Sequence, residues 1–314
     1  MTTNAHDGPW DTLDRGARGT GQLRWSVQNA RVERIDDPDD PRLADYRHLN
    51  DAQARAAAGR DDADGDSGGD GHGCTIVEGA VALGVVLRSG IPLRSLLLTP
   101  NRLDALTPLL ELVAPDVPVL VADREVLAGV VGFDLHRGVL ASARRPRPTD
   151  PHALLRGRRR VVLAEGLNDH ENLGSLYRNA AALGFEAVLL DHRSADPLYR
   201  RSVRVSSGWA AVLPTARIAA LPDGYEPLRD RGFRVVALTP VASAVDVDKA
   251  AAAGLLDDPL ALVVGAEGPG LSEAAIAQAD VAVRVPMASG VDSLNVATSF
   301  AVVAAFAGAR RSWT

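Results

Sequence analysis

The chain has 314 residues, enough for two domains, and because 46% are hydrophobic but only 4% aromatic, we expect an aliphatic core. Its single cysteine, Cys74, excludes an internal disulfide, and no group of Cys and His residues has metal-ligand spacing. No apolar run reaches about 18 residues and the N-terminus has no apolar signal-peptide core, so we expect a cytoplasmic protein without a membrane span or a metal.

The formal charge of −6 is unevenly distributed along the chain. Residues 1–73 hold 9 Arg and 15 Asp or Glu, and the other 241 residues carry equal numbers of basic and acidic side chains. This neutral remainder contains clustered arginines, of which the candidate nucleic-acid contacts are Arg144, Arg145, Arg201 and Arg204. Clustered arginine binds phosphate locally even in an acidic chain, although a solvated surface would produce the same pattern.

The N-terminal part of the chain predicts a small α/β domain over residues 23–146, after a disordered stretch at 1–22. It opens with a strand from Trp25 to Ile35 and a helix from Pro41 to Ala58. The acidic, glycine-rich segment 59–73 cannot bury apolar surface and lacks the ligand order of a calcium loop, so it predicts a flexible insertion. Strands and helices then alternate, with strands at 75–77, 93–98 and 117–121 and helices at 79–88, 103–112 and 125–131.

A proline-rich linker at 147–155 precedes a second α/β domain, which we place at 156–314. Its predicted strands are 160–164, 187–190, 235–239, 260–265 and 281–285, and its predicted helices are 172–183, 224–231, 272–277 and 293–310. A loop rich in Arg and Ser follows the second of these strands. The strands are continuously apolar, which predicts a parallel sheet covered by helices on both faces.

Three segments of the second domain place glycine and polar residues directly after predicted strands, where ligands bind in open α/β sheets. In the first, Asn172 and Gly174 open a helix and Arg178 follows about one and a half turns later. An arginine there can hold a phosphate through two hydrogen bonds, although a helix cap with an exposed arginine would look the same.

The second segment follows the strand that ends at Gly265, and it contains Glu267, Gly268 and Gly270. Its spacing matches neither a dinucleotide-binding turn nor a phosphate-binding P-loop. The third segment runs from a strand through Val285 and Met287 to a helix start, where Ser293 is a plausible N-cap. Taken singly, each of these segments is only weak evidence for a binding site.

Together, the order and spacing of the three segments resemble the SpoU/TrmH family of RNA ribose methyltransferases, within the SPOUT superfamily. The stretch from Arg201 to Gly208 resembles the family's connection between its first two motifs. Upstream, Ile76–Gly79, Val119 and His136–Ala141 resemble its substrate-binding domain, which is similar to ribosomal protein L30e. The resemblance spans roughly residues 24–311, with the acidic segment as an insertion.

This resemblance implies a C-terminal α/β domain with a deep trefoil knot, a homodimer, and binding of the methyl donor S-adenosylmethionine at the subunit interface. By position, the donor contacts would be Thr239, Gly265, Glu267, Val285, Met287, Leu294 and Asn295. Arg178 matches the family's catalytic arginine, which is thought to reach across from the partner subunit. The other motif residues matched are Asn172, Glu267, Ser293 and Asn295.

The implied reaction is methylation of a ribose 2′-hydroxyl in RNA, which needs alignment of the reacting atoms and removal of a proton but no metal. Arginine is a poor base because its pKa lies above 12, so we expect Arg178 to hold the adjacent phosphate instead. Ribosomal RNA is the expected substrate, by fold analogy alone. The alternatives are methylation of transfer RNA, methylation of a base, a catalytically inactive RNA-binding relative, and a generic nucleotide-binding enzyme.

Overall fold

The computed structural model describes residues 25–27, 30–47, 49, 73–132, 138–147 and 149–308. These residues form two compact units, of which the first comprises those up to Leu49 and those from Glu78 to Arg144. The second comprises 73–77 and everything from Arg145 onward. The predicted disordered N-terminus at 1–22 and all but Gly73 of the acidic segment lie outside the described residues.

The N-terminal sheet has six strands, of which the middle ones run parallel. The strands are β1 (Trp25–Val27), β2 (Ala30–Ile35), β3 (Cys74–Glu78), β4 (Leu93–Leu98), β5 (Pro118–Ala122) and β6 (Val139–Arg144). They lie in the order β1-β2-β5-β4-β6-β3, and β5 pairs in parallel with β2 and β4. The helices are α1 (Ala80–Arg88), α2 (Leu103–Leu110) and α3 (Arg124–Val131), with short 3-10 helices at Pro41–Tyr46 and Pro100–Arg102.

Two predictions for this region are wrong, and one strand was not predicted. The stretch from Trp25 to Ile35 is not one strand, because β1 and β2 form an antiparallel pair with Trp25 opposite Val32. The helix predicted from Pro41 ends at Tyr46, whose buried hydroxyl bonds to the Ser95 carbonyl and so fixes the chain there; residues 51–58 are outside the described residues. The strand β6 is absent from the predicted elements because its small Ala and Ser residues have low strand propensity.

The C-terminal sheet has seven strands, and every neighbouring pair is parallel. The strands are β7 (Arg160–Glu165), β8 (Ala187–Leu190), β9 (Thr215–Arg217), β10 (Arg234–Leu238), β11 (Val245–Asp246), β12 (Leu260–Gly265) and β13 (Val281–Arg284). Their order is β11-β13-β10-β12-β7-β8-β9, and every residue of β7, β8 and β12 is buried. The predicted parallel α/β fold is therefore confirmed for this sheet.

Helices cover this sheet on both faces. They are α4 (Pro151–Leu154), α5 (His170–Ala182), α6 (Arg200–Val205), α7 (Trp209–Val212), α8 (Glu226–Arg229), α9 (Val247–Ala252), α10 (Glu273–Gln278) and α11 (Val296–Gly308). A core under α4, α8 and α10 contains Leu163, Val235 and Val263. On the other side α11 packs against α5, and the Phe185 ring meets the Phe300 ring edge-on at 4.9 Å.

Several short elements contradict the predicted connections. The linker contains helix α4, which Asp150 caps by accepting a hydrogen bond from the Ala153 amide. The Arg- and Ser-rich loop folds into α6, α7 and β9, elements too short to show a hydrophobic period. In the part of the chain that the structure describes, no helix is both long and apolar enough to cross a membrane.

Candidate active site

A cavity of about 390 Å³ opens at the carboxyl ends of β10, β12 and β13. All seven residues predicted to contact the donor line it: Thr239, Gly265, Glu267, Val285, Met287, Leu294 and Asn295. Ser293 lines it as well. The structure therefore brings the second and third motif segments together around one cavity, at the edge of the sheet where parallel strands present their ligand sites.

The loop after β12 forms one wall of the cavity through bare backbone. A side chain on Gly265 would lie 2.2 Å from the Gly270 carbonyl carbon and 2.3 Å from the Leu271 nitrogen, so only glycine fits where this loop turns back. The Gly270 amide donates to the Ala266 carbonyl at 3.0 Å, which closes the turn. Gly268 and Gly270 have φ of +89° and +69°, a conformation that L-residues with side chains avoid.

A chain of side-chain hydrogen bonds joins all three motif segments. Asn172 Nδ2 donates to Glu267 Oε2 at 2.6 Å, and Asn295 Nδ2 donates to Asn172 Oδ1 at 2.6 Å. The residues that meet here are 95 and 123 positions apart in the chain. Asn172 thus uses its amide and its carbonyl oxygen to orient both neighbours, and we name this group the Asn172 network (Asn172, Glu267 and Asn295).

The first motif lies on α5, which begins two residues before the predicted start. Asp169 caps the helix, since its carboxylate accepts from the amides of Glu171 and Asn172 at 3.0 and 2.7 Å. Gly174 allows close packing of α6, because a side chain there would lie 2.8 Å from the Ser202 carbonyl. The helix N-terminus therefore delivers Asn172 to the cavity edge by a fixed cap and a close helix contact.

Arg178 lies further along α5, and it is exposed. Among the described residues it makes no hydrogen bond or ion pair, and it is not one of the residues lining the cavity. Its charge is consequently available to an anion from outside this chain. The structure thus places Arg178 outside the cavity lining and outside the hydrogen bonds that join Asn172, Glu267 and Asn295.

The N-cap predicted at Ser293 is wrong. Helix α11 begins at Val296, and Asn295 Oδ1 accepts from the Ala297 and Thr298 amides at 3.0 and 3.3 Å. Asn295 therefore has two functions, capping α11 through its oxygen and joining the Asn172 network through its nitrogen. Ser293 remains exposed in the loop before the helix.

Several residues that line the cavity were not predicted from the sequence. They are Leu238, Pro240, Val264, Arg284, Val296, Ser299 and Val303, among others. Ser299 lies one helical turn after Asn295, so the 3.6-residue period of α11 was the available signal. Arg284 is bound to Asp246 at 2.7 Å, which turns its guanidinium toward β11.

The four arginines predicted to contact nucleic acid are scattered and partly engaged. Arg144 ends β6 and is exposed, whereas Arg145 is ion-paired to Asp196 at 2.8 Å. Arg201 on α6 pairs with Glu171 at 3.1 Å, and Arg204 lies on the next turn of the same helix. None of these arginines is among the residues that line the cavity.

Two further ionisable groups follow neighbouring strands. Burial raises the pKa of the Asp191 carboxyl, but hydrogen bonds from the Ser194 hydroxyl and the Gly166 amide outweigh burial and hold the pKa below its ordinary value. Burial lowers the pKa of the His170 imidazole, whose Nδ1 lies 3.2 Å from Ser202 Oγ. Asp191 is therefore charged and His170 neutral near pH 7.

Within the described ranges, the one group of three side chains able to hold a metal ion lies elsewhere, at His152, Glu226 and Asp230. Glu226 faces Nε2 of the His152 ring at 3.6 Å and Asp230 faces Nδ1 at 3.9 Å. One ligand atom from each of the three side chains lies within 4.8 Å of the other two, and both carboxylates are exposed, away from the residues that line the cavity.

Comparison with known proteins assigns this architecture. The sequence profile of the SpoU rRNA Methylase family matches residues 159–305. An uncharacterized tRNA/rRNA methyltransferase of Mycobacterium tuberculosis is 43% identical over 271 residues, which make up 86% of this chain and 90% of that protein. The chain belongs to the SpoU family. It is an RNA methyltransferase, and the matched residues contain all three motif segments.

Solved structures share the SpoU architecture over most of this chain. The AdoMet-bound rRNA methyltransferase from Sinorhizobium meliloti superposes with a TM-score of 0.68 at 23% identity, over 88% of this chain and 97% of that one. A crystal structure of an RNA 2′-O ribose methyltransferase has a TM-score of 0.66 at 28% identity, over 87% of this chain and 97% of that one. The similarity extends across both units.

Proposed function

We propose that this SpoU family member transfers a methyl group from S-adenosylmethionine to a ribose 2′-hydroxyl of RNA, with ribosomal RNA as its substrate. The observation that carries the proposal is the Asn172 network, which ties the three motif segments together at the edge of one cavity. Two structurally similar proteins support the same function, since one is an AdoMet-bound rRNA methyltransferase and the other is an RNA 2′-O ribose methyltransferase.

The cavity suits S-adenosylmethionine in size and chemistry. Its volume of about 390 Å³ falls in the range of small-molecule sites. Apolar side chains of Leu238, Val264 and Val303 offer a surface for a flat base. The loop after β12, residues 266–272, which we name the glycine loop, offers free backbone. Thr239, Glu267 and Asn295 would supply polar contacts to the rest of the molecule.

When bound, S-adenosylmethionine supplies a methyl group activated by a positively charged sulfur. The chain's own residues must then hold the ribose hydroxyl in line and provide a route for its proton. Arg178 would hold the phosphate next to the reacting ribose, and that phosphate or a water would accept the proton. Asn172, Glu267, Ser293 and Asn295 would shape the contact between donor and ribose.

The position of Arg178 supports a two-chain site. It lies outside the cavity lining of its own chain and its guanidinium has no partner among the described residues. In the homodimer that we propose, Arg178 of one subunit serves the cavity of the other, so each active site requires both chains.

We also propose that the C-terminal sheet carries a deep trefoil knot. This proposal rests on the family to which the chain belongs and on its seven-stranded parallel sheet. The N-terminal unit would be the L30e-like RNA-binding domain over 23–146, joined by the 147–155 linker to the catalytic domain over 156–314. The proposed RNA contacts are Arg144 and Arg145 in the L30e-like domain and Arg201 and Arg204 in the catalytic domain.

Methyl transfer from labelled S-adenosylmethionine tests the proposal, with ribosomal and transfer RNA offered separately and the modified nucleoside identified by mass spectrometry. We expect a 2′-O-methylated nucleoside from ribosomal RNA. A methylated base, or modification confined to transfer RNA, would contradict the assignment. An inactive RNA-binding relative would give no product, and it need not bind S-adenosylmethionine in calorimetry.

A further inference from the structure

Glu165 is a buried acidic residue that none of the motifs accounts for. It is the last residue of β7, only 3% of its surface is exposed, and it lies opposite Gly265 in the parallel register of β7 and β12. Its Oε2 accepts from the Ser272 amide at 2.8 Å and its Oε1 accepts from Ser272 Oγ at 2.9 Å. A carboxylate is buried at such a position only with strong hydrogen bonds, so this pairing is specific.

Ser272 is the point where the glycine loop ends. The loop leaves β12 at Gly265, turns through the closed pair of Ala266 and Gly270, and reaches Ser272, which caps α10. Glu165 on β7 therefore holds the end of the loop at Ser272, next to the point where the loop leaves β12 at Gly265. The two ends of the loop are fixed within one pair of neighbouring strands, and the residues between them form a cavity wall.

Arg193 balances the charge of this anchor. Its Nη2 lies 3.4 Å from Glu165 Oε1, and its Nε lies 3.3 Å from Asp191 Oδ2. Asp191 in turn accepts from the Gly166 amide at 2.9 Å, which holds the residue that follows Glu165. The anchor is thus a network in which each buried carboxylate has backbone amide donors and a shared cation.

We infer that Glu165 is a positioning residue that holds the glycine loop, through Ser272, in the shape that binds the methyl donor. This inference rests on the proposed function of the cavity. Since Glu165 does not itself line the cavity, its removal changes donor binding through the loop alone. The consequence is a rise in the KM for the donor, with little change in kcat once the donor is saturating.

The test compares Glu165→Gln with Glu186→Gln in the full chain. Glu186 serves as the control because its carboxylate also accepts from backbone, through the amides of Arg159 and Arg160, but it is exposed and contacts the opposite end of β7. Ser272→Ala and Ser272→Thr form a second pair, for use if Glu165→Gln does not fold. Ser272→Ala removes the hydroxyl that contacts Glu165, and Ser272→Thr keeps it. Hydrogen–deuterium exchange of residues 266–272 reports on the loop, and calorimetry with S-adenosylhomocysteine reports on the cavity.

We expect Glu165→Gln and Ser272→Ala to exchange faster over 266–272 and to weaken S-adenosylhomocysteine binding about tenfold, a loss typical of a hydrogen bond to a charged group. Glu186→Gln and Ser272→Thr should match the wild type in both measurements. Unchanged exchange over 266–272, or faster exchange with unchanged affinity, would overturn the role of Glu165. If the wild type does not bind S-adenosylhomocysteine, the proposed function is wrong. The exchange rates of residues 266–272 would still show whether Glu165 holds the loop.

Discussion

At the scale of single residues, the site combines one group that is free with several that are fully engaged. Asn172 and Asn295 use their amide groups within the Asn172 network, whereas Arg178 is exposed on α5. The engaged side chains set the shape of the site, whereas the guanidinium of Arg178, which has no partner among the described residues, is available to a ligand. Substitutions at the two kinds of residue should therefore have different effects on stability and on turnover.

Arg178→Ala should lower kcat about a hundredfold, as loss of a charged contact to the reacting region does, without lowering the free energy of unfolding by more than about 0.5 kcal/mol. The physical reason is that Arg178 has no partner among the described residues to lose. Arg178→Lys should also be slower than the wild type, because a lysine cannot bind a phosphate through two hydrogen bonds. Methyl-transfer kinetics and urea unfolding measure both quantities, and full turnover by Arg178→Lys would refute the two-bond contact.

At the scale of elements, the backbone of the glycine loop limits which side chains the loop can carry. Gly265→Ala should lower the free energy of unfolding by about 3 kcal/mol, because the added carbon meets the backbone of residues 270 and 271. Gly268→Ala meets no atom within 4 Å and should cost only about 1 kcal/mol, from its positive φ. Urea unfolding of both variants measures these free energies. Equal losses of unfolding free energy would mean that the loop moves to relieve the close contact at Gly265.

The turn after β8 should make stability depend on pH through Asp191. Its pKa is lower in the folded protein than in the unfolded chain, so its contribution is full above the unfolded value of about 3.9 and is lost as pH falls through the folded pKa. Asp191→Asn should lower the free energy of unfolding by about 2 kcal/mol at pH 7 and by less below pH of about 4. Urea unfolding across this range measures the difference; a loss independent of pH would show that the charge of Asp191 has no part in it.

The sequence predicted the elements with a clear pattern and missed those without one. Strands β4, β8 and β12 have the predicted bounds. In β8 and β12 the reason is an unbroken apolar run, which is typical of a strand buried on both faces of a parallel sheet. The helices α6 and α7 are each too short to show a period, so they read as a loop. The cavity contacts were predicted from the family resemblance, by position in the motifs. The hydrogen bonds of Asn172 were not predicted, because they depend on three distant segments meeting.

At the scale of the whole molecule, the proposed dimer makes a specific prediction about mixed subunits. Arg178→Ala and Asn295→Ala each inactivate every site in their own homodimer. If Arg178 acts on the partner's cavity, a mixed dimer has one site with both residues intact, so an equal mixture should regain about a quarter of wild-type activity. Activity of the mixture is measured after co-refolding or exchange, and no recovery despite formation of mixed dimers would place Arg178 in its own chain's site.

We propose that this SpoU family protein methylates a ribose 2′-hydroxyl of ribosomal RNA. The most direct test is methyl transfer from labelled S-adenosylmethionine to ribosomal and transfer RNA, followed by mass spectrometry of the nucleosides. We expect a 2′-O-methylated nucleoside from the ribosomal RNA, formed about a hundredfold more slowly by Arg178→Ala. A product methylated on the base, or no product from either RNA by a protein that fails to bind the donor, would contradict it.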